Sequence, residues 1–146
     1  EQHIDNTTFV DHAAPNSSSR EVYKGVLDES ARGVFQGKIL VRQDSQKTDG
    51  HQLNKTLLLS QGTEIDSKPE LEIYADDVKC SHGATTGELE EEQLFYLRAR
   101  GIDLETARGM LVAAFVGEAL AEMQVDAPRA AFQAVVDDWL ERRSEG

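Results

Sequence analysis

Hydrophobic residues come in short bursts over the first part of the chain and at helical spacing over the rest. The bursts are Val34-Phe35, Ile39-Leu40-Val41, Leu57-Leu58-Leu59 and Leu71-Glu72-Ile73-Tyr74-Ala75. Polar, turn-rich stretches such as Gln43–Gly50 and Ser60–Thr63 separate them. Strands spaced this way without helices between them predict a sandwich, a barrel or a parallel β-solenoid. The steps from Ile39 to Leu57 to Leu71 fit solenoid rungs of unequal length. Asn54 fits either an asparagine at a solenoid corner or an ordinary solvated turn.

From residue 88 the period changes. A first helix is expected over about Glu90 to Arg100, with Leu94 and Leu97 on its apolar stripe. Acids fill its first turn, Arg98 and Arg100 its last, and Gly101 stops it, as the helix dipole and C′ geometry favour. A second helix is expected from an Asp103 N-cap to about Met123, with Ala107, Leu111, Ala114, Phe115 and Ala119 on one face. Gly109 and Gly117 within it suggest the close approach of another backbone, and Glu118 beside that face needs a partner if buried. A third opens at Pro128, a favoured first-turn residue, and Phe132, Val135, Val136, Trp139 and Leu140 follow core spacing. The expected organisation is a strand-rich part over residues 1–87 and a helical part over 88–146.

Charge narrows the partners. The net charge of −12 argues against nucleic acid, whose phosphates demand Lys and Arg. No apolar run approaches the length of a bilayer span. The start, Glu1-Gln2-His3-Ile4-Asp5, lacks a secretory pattern and an initiator methionine, so a piece of a longer protein is expected. A single Cys excludes an internal disulfide and fits a reducing compartment such as the cytoplasm.

The candidate chemistry lies in Asp76-Asp77-Val78-Lys79-Cys80-Ser81-His82-Gly83-Ala84-Thr85. On a strand, Cys80 and His82 project to the same face. A thiolate beside an imidazole suits iron, zinc or copper rather than magnesium or calcium. Two ligands do not complete a site, so further ones must come from this chain or a partner. The blander readings are a small buried Cys80 and a hydrogen-bonded His82. Asp76 and Asp77 read as a polar edge before hard-metal ligands, and His3, His12 and His51 as surface or turn residues. The Glu88–Glu92 run reads as a solvated helix start. A Cys–His nucleophilic dyad lacks an orienting third group and an oxyanion hole.

Three strings carry a family resemblance: Lys79-Cys80-Ser81-His82-Gly83-Ala84-Thr85, Gln93-Leu94-Phe95-Tyr96-Leu97-Arg98-Ala99-Arg100-Gly101-Ile102, and Ala114-Phe115. So do upstream stretches such as Ala31–Ile39 and Lys68–Lys79. Together they resemble the SufB/SufD family of iron–sulfur cluster assembly subunits over nearly the whole chain to about Met123. The Cys-Ser-His-Gly form is closer to the SufD branch than to the Glu-His-Glu form of SufB. The resemblance implies a right-handed parallel β-helix followed by a small α-helical domain, in a non-enzymatic scaffold. It implies pairing with a SufB-type subunit and docking of a SufC-type ATPase on the helices. It further implies that His82, with Cys80 less firmly, helps hold iron or a nascent iron–sulfur cluster at the interface with the SufB-type partner. A homodimer is a further possibility. The chain has no Gly-x-x-x-x-Gly-Lys-Ser/Thr loop and so no ATP site of that kind.

The alternatives are a purely structural adaptor and a β-helix enzyme acting on polysaccharide or acyl donors.

Overall fold

The computed structural model describes residues 2–144. The chain divides into two compact units, Glu1–Gly87 and Glu88–Gly146.

The first unit is built from β1 (His3–His12), β2 (Ser18–Leu27), β3 (Arg32–Val41), β4 (Asp49–Leu58), β5 (Glu64–Ile73) and β6 (Lys79–Gly87). Successive strands alternate between two parallel three-stranded sheets, ordered β1-β3-β5 and β2-β4-β6. Arg32 thus pairs with His3 and Glu64, and Asp49 with Ser18 and Lys79. The turns stack as well: Asn16 N–H donates to Gln46 O at 2.9 Å and Lys47 N–H to Asp77 O at 2.6 Å.

Period-two alternation creates the interior. On β3, Gly33, Phe35, Gly37, Ile39 and Val41 are buried, while Arg32 and Lys38 carry cross-strand ion pairs to Glu64 or Asp66 and to Glu72. Ile39, Val41 and Ala75 form the core cluster, with Val10, Leu71, Val78 and Cys80 packed against it.

The second sheet fills the interior differently. The buried side chains of β4 include Gln52, Asn54 and Thr56. Side chains of the two sheets meet: the Tyr23 and Phe35 rings lie 4.7 Å apart, and Asn54 Nδ2 donates to Ser67 Oγ at 2.8 Å. Asn54 is therefore neither a corner nor a solvated turn. It lies inside β4 and is 4% exposed. The stacking also differs from the expected sequence of rungs. Ile39 pairs directly with Leu71, whereas Leu57 belongs to the other sheet and pairs with Val26 and Gly87.

The second unit holds α1 (Glu91–Arg98), α2 (Leu104–Ala121) and α3 (Asp126–Ser144). Gly101 adopts φ +85° just past α1, where a side chain would be strained. Asp103 caps α2, accepting from the Thr106 amide at 3.0 Å. Ala107 and Val112 are the buried residues of α2. Ala114 and Glu118 of the expected face are exposed.

No described atom outside the helix approaches the Cβ positions of Gly109 or Gly117 within 4 Å. The close backbone contact expected there is absent among the described residues. Nor is the whole α3 stripe core: Phe132 and Val135 are 52% and 63% exposed. Among the described residues, no helix is long and apolar enough to cross a membrane.

Candidate functional site

The site forms on the second sheet, where register stacks the inward side chains of β2, β4 and β6 in lanes. One lane is Ser19–Gly50–Cys80 and the next is Glu21–Gln52–His82. Neighbouring strands lie about 4.8 Å apart, so lane neighbours are in reach of one another. Cys80 and His82 share a face of β6, as alternation predicts.

Their surroundings differ. Cys80 is half-buried against the core cluster, whereas His82 is exposed. Burial raises the Cys80 thiol above its ordinary pKa, a hydrogen bond with the Gly50 backbone offsets part of that, and the Asp49 charge adds to the rise. The sulfur is therefore protonated at neutral pH until a soft cation or a base removes the proton.

The absent side chain of Gly50 opens a small space beside the sulfur. A Cβ there would lie 3.5 Å from Cys80 Sγ and 3.4 Å from both His12 Nε2 and Ser19 Oγ. His12 is not the surface residue its polar neighbours suggest. It is 5% exposed, with Nδ1 2.8 Å from Ser17 Oγ and Nε2 2.9 Å from Ser19 Oγ. Ser17 donates its hydroxyl proton to Ala14 O at 3.0 Å. That donation matches the tautomer in which His12 Nδ1–H donates to Ser17 and Nε2 accepts from Ser19.

His51 faces the opposite side of β4 from Gln52. Its Nδ1 lies 2.7 Å from Ser81 Oγ and its Nε2 2.7 Å from Asp49 Oδ1. This Asp–His–Ser row is about half-exposed, at 46% for His51 and 54% for Asp49, so water competes for every bond. His51 and His82 both line a cavity of about 310 Å³ with Arg20, Glu21, Gln52 and Ser81. His3 lies exposed at the start of β1. Asp76 and Asp77 lie in the bend before β6, where Gln46 Oε1 accepts from the Asp77 amide at 2.9 Å.

The Glu21–Gln52–His82 lane is the feature that sequence reasoning missed. Gln52 Nε2 donates to Glu21 Oε2 at 3.1 Å, and Tyr23 O–H donates to the same oxygen at 3.3 Å. Thr8 Oγ1, Glu21 Oε1 and Gln52 Oε1 are buried without a partner among the described residues. Among the described residues, no three His, Cys, Asp or Glu side chains are grouped to hold a metal. Cys80 and His82 supply two donors at most.

Comparison with known proteins gives this arrangement its context. The model of the SufBD core domain, of the SUF system for iron–sulfur cluster assembly, matches residues 1–115. The chain is 47% identical to the iron–sulfur cluster assembly protein SufD of Escherichia coli, over 78% of this chain and 27% of that protein. It is 46% identical to the chloroplastic protein ABCI7 of Arabidopsis thaliana, over 77% of this chain and 23% of that protein. A SufBD family protein of Mycobacterium leprae is 38% identical over 95% of this chain and 38% of its own length. The chain thus spans well under half the length of these relatives. By the extent of these matches, it belongs to the SufBD core family of the SUF iron–sulfur cluster assembly system.

Proposed function

We propose that this chain is a SufD-type scaffold portion for iron–sulfur cluster assembly, acting in the cytoplasm without catalytic activity of its own. Its two sheets are read as coils of a right-handed parallel β-helix. Strand-by-strand alternation between parallel sheets and the stacked turns support that reading.

The observation that carries the functional reading is the placement of Cys80 and His82 on one face of β6, at the edge of its sheet. Iron or a nascent cluster is the cargo, with His82 as ligand and Cys80 beside it. A SufB-type partner supplies the missing thiolates, since cluster sites use Cys with occasional His. The cation displaces the Cys80 proton on binding, so loading strengthens as pH rises.

The helical unit is the proposed seat of a SufC-type ATPase. Exposed Phe95, Tyr96 and Met110, with a cavity of about 410 Å³ lined in part by Tyr96, Leu97 and Leu111, support a docking surface there. Light-scattering chromatography of the full subunit with its cognate SufB-type and SufC-type proteins tests the scaffold role. A ternary assembly is expected, and removal of residues 88–146 releases the ATPase alone. Failure to associate under any nucleotide condition contradicts the reading. A homodimer in place of the mixed assembly contradicts the pairing.

A further inference from the structure

The interior lane behind His82 ends in an unmatched acceptor whose direction is fixed. Gln52 is 2% exposed, and its Nε2 donates to Glu21 Oε2 at 3.1 Å. The reversed amide would set its carbonyl against that carboxylate, so the oxygen and nitrogen cannot be exchanged. A Cβ at Gly37 would lie 2.5 Å from Gln52 Oε1, 2.6 Å from Nε2 and 2.7 Å from Cδ. These near-equal distances set the amide face-on to Gly37. With nitrogen turned toward Glu21, oxygen turns the other way along the lane.

The next residue in that direction is His82, paired with Gln52 in register. Gln52 Oε1 is buried and has no partner among the described residues, a condition that native interiors rarely leave unmet. His82 is exposed, and its ring makes no side-chain hydrogen bond among the described residues. An imidazole N–H is the donor the lane lacks.

We propose that Glu21 and Gln52 are positioning residues for His82. The carboxylate holds the amide; a turn of the exposed His82 side chain toward Gln52 lets the amide oxygen accept one ring N–H, which leaves the second ring nitrogen with its lone pair toward the cargo. Metal-binding histidines are ordinarily oriented in this way by an acceptor on their other nitrogen. This assignment rests on His82 being a ligand, but it predicts a property of the ring without iron.

The test is nuclear magnetic resonance of the full subunit labelled with 15N-histidine, the His82 signals being assigned by their loss in His82→Ala. The wild type is expected to hold one His82 tautomer with a slowly exchanging ring proton. Gln52→Leu is expected to release the tautomer and speed ring-proton exchange about tenfold, as for one lost hydrogen bond. A wild-type ring that samples both tautomers and exchanges freely overturns the assignment, with no variant needed. Unaltered His82 signals in folded Gln52→Leu overturn it equally.

Ferrous iron added anaerobically to the assembled complex separates this assignment from the ligand reading. Unperturbed His82 signals would sink the ligand reading while leaving the fixed tautomer standing. If both hold, Gln52→Leu is expected to weaken ferrous iron binding by about 10-fold to 100-fold.

Discussion

Two glycines that look alike in the sequence have opposite constraints. A side chain at Gly37 would meet the Gln52 amide at 2.5 Å, whereas one at Gly50 would make ordinary contacts at 3.4–3.5 Å. Gly37→Ala is therefore expected to destabilise the strand unit by about 1–3 kcal/mol, the usual range for overpacking. Gly50→Ala should change stability by less than about 1 kcal/mol. Urea midpoints of the two variants compare them, and equal losses would contradict the packing described. Cys80 offers a second test at this scale. Burial raises its thiol pKa, so iodoacetamide should react with it more slowly at pH 7 than with free cysteine, the rate climbing only above the ordinary thiol range. A profile that turns over below that range would contradict the half-buried neutral thiol. The shared face of Cys80 and His82 was legible in the sequence, because alternation depends on nothing outside the strand. The burial of His12 and the Glu21–Gln52 bond were not: Gln52 and Glu21 lie 31 residues apart, and hydrophobic pattern does not fix that register.

At the scale of elements, legibility followed the chemistry of the inward face. β3 is readable because its apolar bursts, Val34-Phe35 and Ile39-Leu40-Val41, stand out from Gln36-Gly37-Lys38 between them. β4 conceals itself because its inward positions include Gln52, Asn54 and Thr56, so a buried strand resembles a solvated one. The helices were read from their caps more faithfully than from their stripes. Asp103 and Gly101 stand where capping rules place them, while Phe132 and Val135 at core spacing are exposed. The Asp103 carboxyl is held below its ordinary pKa, first by the Thr106 hydroxyl and then by its amide. A lowered carboxyl contributes stability above its unfolded value and loses it as pH falls through its folded value. Asp103→Ala is thus expected to reduce helicity at neutral pH, and the difference from wild type should vanish in strong acid. Circular dichroism across that range checks it, and a gap that persists in acid would contradict the cap.

For the whole molecule, the sequence carried the family more clearly than the site. Long matching strings span residues 1–115, whereas Cys80 and His82 complete no metal centre among the described residues. Such a half-site fits the proposed reading that the remaining ligands come from a homologous partner. The strand unit also ends in edge strands, β5 and β6, each bonded on one side within its sheet. Unpaired edges favour pairing with another chain, so the subunit without its partner should self-associate more readily than the assembled complex. Sedimentation velocity at matched concentrations measures that difference. A subunit that stays strictly monomeric would show that the edge is protected by other means.

The central claim is that His82, aided by Cys80, holds cargo iron in the assembled complex. Anaerobic co-purification of the full subunit with its SufB-type and SufC-type partners, followed by iron determination per complex, tests it most directly. The account predicts that His82→Ala removes most of the bound iron without dissociating the complex. Cys80→Ala should lower retention, with the wild type gaining iron as pH rises. Intact complexes of both variants that retain wild-type iron would contradict the account and leave this chain a structural adaptor.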